Sequence, residues 1–208
     1  IIEGTQKLMD AIVLAGGLPR PDDPIFQYSQ GKPKSLVKLG DKTMVEWVVA
    51  ALQGANGVDD VVVVGINETM AQEAGVEFDR PVTYLPDLGN VVSNNFSAVN
   101  FLQKMKPDQD TYLLCSADIP LITPEMVDYY IAACQPLDGL LYYSVVTDSV
   151  MEKRLPGSKR SFVEFTEANG AGGDIFILKG AMLQRNKAFW NAFVDARKNA
   201  FRLASTLG

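Results

Sequence analysis

The 208-residue chain contains no histidine and only two cysteines, Cys115 and Cys134. The missing histidine removes Ser-His-Asp and Cys-His nucleophile systems, zinc sites built on imidazole, and imidazole acid–base catalysis. Two cysteines are too few for a four-cysteine zinc site. They lie nineteen positions apart in apolar surroundings and read as reduced core residues rather than as a disulfide. What remains is carboxylate, lysine, arginine and backbone chemistry.

Long apolar runs are also missing. None approaches the roughly 20 residues of a membrane span, so the chain is not expected to cross a bilayer. The first eight residues lack the basic-then-apolar layout of a secretory signal, and a cytoplasmic location is the expectation. Positive charge is in short supply: 19 Lys and Arg against 25 Asp and Glu give a net charge of −6. That balance argues against a nucleic-acid partner, which needs a basic face, but leaves room for a local basic pocket. Hydrophobic content of 47% and charged content of 21% are those of a soluble globular protein, and the length is enough to bury a substantial core. With no repeat, low-complexity tract or linker, residues 9–208 read as a single domain. Residues 1–8, ahead of and including the approach to Met9, read as an upstream extension or an expression remnant. An acidic domain of this kind is compatible with a homodimer.

Against these absences one stretch stands out. Ala11 to Ala15 is a short unbroken apolar run rich in branched residues, as in a strand buried on both faces. Gly16 and Gly17 follow at once, and without Cβ atoms they let the backbone turn sharply and offer N–H groups to a ligand. A glycine turn after a parallel strand is where α/β sheets bind phosphates. Arg20, Lys32 and Lys34 add cations within reach. A plain strand-to-loop turn with surface lysines has the same local sequence.

Strands and helices alternate along the next two thirds. Thr43 with Glu46 forms a capping box for a helix whose apolar face is Met44, Val45, Val48, Val49 and Leu52. Strands are expected over Asp60 to Ile66, Val82 to Leu85, Asp110 to Ser116 and Leu140 to Val146. Helices are expected over Glu68 to Ala74, from a Ser93 cap to about Met105, and from Thr123-Pro124 to about Cys134. A polar, basic stretch from Glu152 to Arg160 interrupts the pattern. Ser161 to Thr166 and Asp174 to Leu178 read as short strands separated by Gly172-Gly173, and a last helix is expected from near Gly180 past Arg197. Trp47 and Trp190 read as core, as do Met182, Leu183, Phe189, Phe193 and Val194. This alternation predicts a mainly parallel sheet covered on both sides.

Two further stretches carry chemistry. In Tyr112-Leu-Leu-Cys-Ser-Ala-Asp-Ile-Pro120, Asp118 follows a buried strand, on the edge where open sheets bind ligands. It is suited either to capping the next turn or to offering a hard anionic oxygen to Mg²⁺. In Gly170-Ala-Gly-Gly-Asp-Ile-Phe176, Asp174 opens a strand after a glycine-rich turn.

Taken in order, Leu14-Ala-Gly-Gly17 with Arg20 and Pro33-Lys34, Ala117-Asp118 with Pro120, and Gly172-Gly-Asp-Ile-Phe176 resemble the signature of the nucleotidyltransferase family. That family includes the sugar-phosphate nucleotidyltransferases and the molybdenum cofactor guanylyltransferase (MobA-like) group. The chain departs from the pattern at Pro19, which stands where a third glycine belongs, and at Arg20, one position early with Pro21 in the usual arginine place. The resemblance implies an α/β fold, a three-layer α/β/α sandwich with a Rossmann-like, mainly parallel sheet. It also implies Mg²⁺-dependent transfer of NMP from a nucleoside triphosphate to a small phosphorylated acceptor, with release of pyrophosphate. In that reading Lys34, Asp118 and Arg20 are catalytic. Leu14, Ala15, Gly16, Gly17, Lys34, Ser93 and Asn94 hold the nucleotide, with Asn95 nearby, and Asp118 and Asp174 hold the metal. Lys159 and Arg160 are placed to reach an acceptor phosphate or to form a solvated basic loop. Alternatives are a non-catalytic nucleotide-binding module and a nucleotide-sugar glycosyltransferase, although the latter's Asp-x-Asp motif is replaced by Ser116-Ala-Asp118.

Overall fold

The computed structural model describes residues 8–158, 162–164 and 169–185. In chain order the elements are β1 (Met9–Leu14), α1 (Phe26–Ser29), a 3₁₀ turn (Lys34–Leu36), β2 (Lys38–Leu39), β3 (Lys42–Thr43), α2 (Met44–Gly54), β4 (Val58–Val64) and α3 (Glu68–Ala74). They continue with β5 (Thr83–Leu85), α4 (Val91–Met105), β6 (Thr111–Ser116), α5 (Pro124–Ala133), β7 (Leu141–Thr147), α6 (Asp148–Arg154), β8 (Val163–Glu164), β9 (Asn169–Lys179) and α7 (Gly180–Arg185).

The central sheet runs β5-β4-β1-β6-β9-β7, with β8 paired to β9. Strands β5, β4, β1 and β6 are parallel, and β9 runs antiparallel to both β6 and β7. Strand β1 lies at the centre, and Ala11, Ile12 and Val13 are wholly buried, as an apolar strand covered on both faces must be. Its alternate side chains feed two cores. Ala11 and Val13 pack with Val45, Val48, Leu52 and Ile131 from α2 and α5. Ile12 packs with Val92, Val99 and Leu102 of α4 on the other side. The result is the expected three-layer α/β/α arrangement with a mostly parallel sheet.

Local chemistry sets the helix starts. The Thr43–Glu46 capping box forms, with Glu46 Oε2 accepting from the Thr43 N–H at 2.7 Å. Glu46 is buried, and its other oxygen accepts the Glu77 N–H at 3.1 Å, so the carboxylate is not left unpaired. Thr123 caps α5 with Pro124 in its first turn, as the sequence predicts. At α4 the expectation needs correcting. Asn90, not Ser93, is the cap, and its side-chain oxygen accepts the Ser93 N–H at 2.9 Å. Gly89 at φ +83° turns the chain so that Asn90 arrives extended, three residues earlier than expected.

Three other expectations differ. Gly172 and Gly173 do not punctuate; they lie inside the eleven-residue strand β9. A Cβ at Gly172 would collide with the Tyr143 hydroxyl and one at Gly173 with the Ser144 hydroxyl, beside a register shift in β7 between Tyr143 and Val145. Glycine here admits an irregular neighbour rather than ending a strand. Part of the polar stretch is helix α6, capped by Thr147, with Asp148 in its first turn and Lys153 and Arg154 in its last. Trp47 is only half-buried: its indole N–H donates to the Leu39 carbonyl at 2.9 Å, and the Lys42 ammonium lies 5.4 Å from the ring centre. The expectations for residues 1–7, Lys159, Arg160, Ser161, Thr166, Phe189, Trp190, Phe193, Val194 and Arg197 fall outside the described residues.

At the amino-terminal end of the sheet the fold carries a buried charge. Asp10 on β1 is fully buried, and its Oδ1 lies 2.6 Å from the Lys106 ammonium. The same ammonium sits 2.9 Å from Asp59 and 2.7 Å from Asp60 on β4. Burial alone would lower the Lys106 pKa, but the three carboxylates outweigh it and raise it. Because its folded pKa lies above the unfolded value of 10.5, the stability it contributes is fully present below that pH and is lost only above it. Lys106→Met strands Asp10 without its cation and is expected to cost about 2–3 kcal/mol. That is below the 3–5 of a fully buried pair because the lysine is 31% exposed. Urea unfolding at pH 7 measures this, and an unchanged midpoint would contradict it.

Candidate active site

Four parallel strands end in one row. Leu14 pairs with Val64 on one side and Ser116 on the other, and Val64 pairs with Leu85. The loops that follow therefore begin at the same level, on the carboxyl edge where open α/β sheets bind ligands. A cleft of about 840 Å³ opens there.

Its floor is the glycine loop. The Ala15 N–H continues the ladder to the Val64 carbonyl at 2.8 Å, and the chain then turns. A Cβ on Gly16 would stand 2.8 Å from Gly65 Cα, and Gly65, at φ +101°, has no room for one either. The two backbones touch because neither residue has a side chain. Gly65 shapes the glycine loop and is a position that the sequence reading missed, although a glycine directly after a valine strand was its signal. Among the described residues, neither the Gly16 nor the Gly17 N–H donates to another protein group. The loop is then tied to the basic segment: the Lys34 N–H donates to the Gly17 carbonyl at 3.0 Å, and the buried Ser35 hydroxyl to the Ala15 carbonyl at 2.6 Å. These bonds bring Lys34 back over the loop, where its Cε would lie 3.2 Å from a Cβ on Gly17.

Asp118 faces this loop from just beyond β6. Its Oδ2 accepts from the Lys34 ammonium and its Oδ1 from the Ser116 hydroxyl. Burial alone would raise the Asp118 pKa; the two hydrogen bonds and the lysine charge outweigh it and hold the carboxyl below its ordinary value. Asp174 comes from the antiparallel neighbour. Cys115 pairs with Ile175, so the next step along each strand sets Ser116 across from Asp174. Asp118, Asp174, Lys34, Leu14, Gly16 and Gly17 all line the one cleft. Burial, with Asp174 and Asp118 nearby, pushes the Cys115 thiol well above its usual range, which makes it inert as a nucleophile. Asp118 and Asp174, with the Ser116 hydroxyl, line the cleft as hard oxygen donors, which suit a hard divalent cation such as Mg²⁺, Ca²⁺ or Mn²⁺.

Among the described residues, the one group of three acids close enough to share an ion is Asp10, Asp59 and Asp60. It sits at the opposite end of β1 and β4 and already holds the Lys106 ammonium, so it is no part of this site.

The third wall is the segment before and within α4. Asp87 Oδ1 accepts from the Gly89 N–H and from the Asn94 side chain, both at 2.9 Å, and Asn94 Oδ1 accepts the Leu88 N–H at 2.7 Å. Asn94 lines the cleft, yet its carboxamide staples this loop. Ser93 is not among the lining residues, and its hydroxyl is bonded to Asn90 at 3.1 Å. Asn95 is the exception in this wall: it is buried on the sheet-facing side of α4, lines the cleft, and its Oδ1 has no partner among the described residues. Ala15 is buried and takes part only through its backbone. Arg20 points away from the cleft, 83% exposed and 3.8 Å from Asp22. Leu141, Tyr143, Phe176 and Leu183 form an apolar end, with the two rings 6.0 Å apart. Ser116 and Tyr143 are lining residues that the sequence reading did not single out.

Solved structures share this architecture. A hypothetical transferase from Thermus thermophilus is 28% identical over 97% of this chain and 78% of its own, with a TM-score of 0.75. CMP:2-keto-3-deoxy-manno-octonic acid synthetase, solved with CTP, is 15% identical over 96% of this chain and 86% of its own, with a TM-score of 0.62. 4-Diphosphocytidyl-2C-methyl-D-erythritol synthase from Anaerococcus prevotii is 11% identical over 96% and 83%, with a TM-score of 0.60. No functionally curated protein matches the sequence. The model of the MobA-like NTP transferase domain matches residues 11–183, which contain the glycine loop, Lys34, Asp118 and Asp174. The chain belongs to the MobA-like NTP transferase domain family, a family of nucleotidyltransferases.

Proposed function

We propose that the chain transfers a nucleoside monophosphate from a nucleoside triphosphate to a small phosphorylated acceptor. An acceptor oxygen forms a bond to the α-phosphorus, the bond from that phosphorus to the bridging oxygen breaks, and pyrophosphate leaves with the electron pair. The observation that carries this reading is the convergence of Gly16, Gly17, Lys34, Asp118 and Asp174 on one cleft at the carboxyl edge of the sheet. The Gly16 and Gly17 N–H groups position phosphate oxygens, and the Lys34 ammonium offsets the charge that builds on them. Asp118 and Asp174 are the residues that would hold Mg²⁺, which when bound neutralises phosphate charge. No protein nucleophile is required, which agrees with a buried, inert Cys115 and a chain without histidine. Arg20 stays outside this mechanism because it turns to solvent.

The solved relatives named for cytidine nucleotides make CTP the first donor to test. The acceptor is read from the remaining space: the Tyr143 and Phe176 end of the cleft suits the apolar body of an acceptor.

The test is pyrophosphate release from each of the four NTPs with Mg²⁺ against a panel of phosphorylated acceptors. Turnover with at least one pair is expected. Nucleotide binding without turnover across a broad panel would instead favour a binding module. With the active pair in hand, Lys34→Ala is expected to lower kcat/KM on the order of 10²–10³-fold, the scale of one charge-stabilising contact. The fold should be retained with at most a modest drop in melting temperature, since Lys34 is 37% exposed and Asp118 keeps its bond from the Ser116 hydroxyl. Unchanged turnover would remove Lys34 from the mechanism.

Asn95 supplies an independent check. Phosphates bring no donor at neutral pH, so its orphaned oxygen is suited to an N–H or O–H of the base, ribose or acceptor. Asn95→Leu is expected to stabilise the free protein by about 1 kcal/mol, by removing an unsatisfied buried acceptor, and to weaken ligand binding about 2–10-fold. Urea unfolding and calorimetry measure the two effects. A less stable variant with unaltered binding would contradict both.

A further inference from the structure

Both oxygens of Asp118 are hydrogen-bonded within the protein, Oδ1 to the Ser116 hydroxyl and Oδ2 to the Lys34 ammonium. Lys34 reaches that place from a fixed base. Its N–H is bonded to the Gly17 carbonyl, and the neighbouring Ser35 hydroxyl is bonded to the Ala15 carbonyl. The freedom left to Lys34 is in its side chain, which is 37% exposed and runs beside Gly17. From that stem the ammonium has two destinations: the Asp118 carboxylate, or the space above the glycine loop where phosphates would lie.

We propose that Lys34 is a resident counter-cation on Asp118 that gives way to an incoming divalent cation, moving its ammonium onto the nucleotide phosphates in the same event. This rests on the reading of Asp118 as a cation ligand. A divalent cation and an ammonium on one carboxylate oxygen repel each other, so the cation binds well only when the lysine has another anion to pair with. The triphosphate supplies that anion. The free cation therefore binds weakly, the cation and nucleotide bind together, and each raises the affinity for the other by the same factor. Ser116 keeps Oδ1 in place during the exchange and acts as a positioning residue. The arrangement at Lys106 shows the contrast. There, one ammonium is shared by three carboxylates, one of them fully buried, whereas Lys34 is paired with one.

The test uses Mn²⁺ alone, titrated into the full chain without nucleotide, with the free ion read by electron paramagnetic resonance. Lys34→Met is expected to bind Mn²⁺ about 5- to 150-fold more tightly than the parent, the range of coupling between linked sites. Lys34→Gln, which keeps a polar tip without charge, is expected to gain similarly and guards against a folding defect in the first variant. Lys34→Arg keeps a cation on Asp118 and should stay as weak as the parent. Adding Asp118→Asn to Lys34→Met should abolish the gain, which places the binding on that carboxylate. Equal Mn²⁺ affinity in the parent and both neutral variants, with binding lost on Asp118→Asn, would overturn the exchange while leaving Asp118 a ligand. No Asp118-dependent binding in any variant, with or without CTP, would overturn the metal reading and this inference with it.

Discussion

The site depends on two backbones that touch. Gly16 and Gly65 follow adjacent parallel strands, and their close approach leaves no room for a Cβ on either. The same contact lets the loops after β1, β4 and β5 converge: the Gly65 N–H donates to the Leu85 carbonyl at 3.0 Å, and Asp87 Oδ2 stands 3.1 Å from where a Gly16 Cβ would be. A side chain at this junction would push the loops apart and lift the Gly16 and Gly17 N–H groups out of the row set by Leu14, Val64 and Ser116. The register of the sheet, rather than any one side chain, fixes the level at which Lys34, Asp118 and Asp174 meet.

The two ends of the sheet handle charge differently. At the amino-terminal end Lys106 sits among Asp10, Asp59 and Asp60, so one ammonium has three carboxylate partners. At the carboxyl end Lys34 faces one carboxylate, and a second, Asp174, lines the same open cleft. The first arrangement braces β1 against β4. The second leaves charge accessible to a ligand. Lys34 and the glycine-loop N–H groups thereby bring local positive charge to one cleft of a chain with a net charge of −6.

Most of the fold was legible because its periodicities are strong. The buried run at Ala11 to Ala15, the Thr43 box and Thr123-Pro124 each have one dominant local solution, and the structure adopts it. Glu68–Ala74 has the bounds that the sequence predicts. Two of the misses share a cause: the deciding partner is distant in sequence. Gly172 and Gly173 look like a break until β7 is placed beside them with Tyr143 and Ser144 over the bare positions. Gly65 reads as part of a strand over Asp60 to Ile66, whereas the strand ends at Val64 and Gly65 turns against Gly16. Ser93 and Asn90 are both good caps, and only the turn at Gly89 chooses between them. For the site, Lys34, Asp118 and Asp174 are brought to one cleft, whereas Arg20 goes to solvent, as its displaced position beside Pro19 and Pro21 leaves it outside the loop.

In the proposed site Asp118 and Asp174 share one divalent cation beneath the phosphates of a nucleotide held by the glycine loop. Anomalous scattering from crystals grown with Mn²⁺ and a CTP analogue that resists cleavage between its α- and β-phosphates tests it most directly. A manganese peak is expected within about 2.5 Å of an oxygen from each of the two carboxylates, with the Lys34 ammonium moved from Asp118 to a phosphate. A peak at Asp10, Asp59 and Asp60 with none in the cleft, or a nucleotide bound away from Gly16 and Gly17, would contradict it.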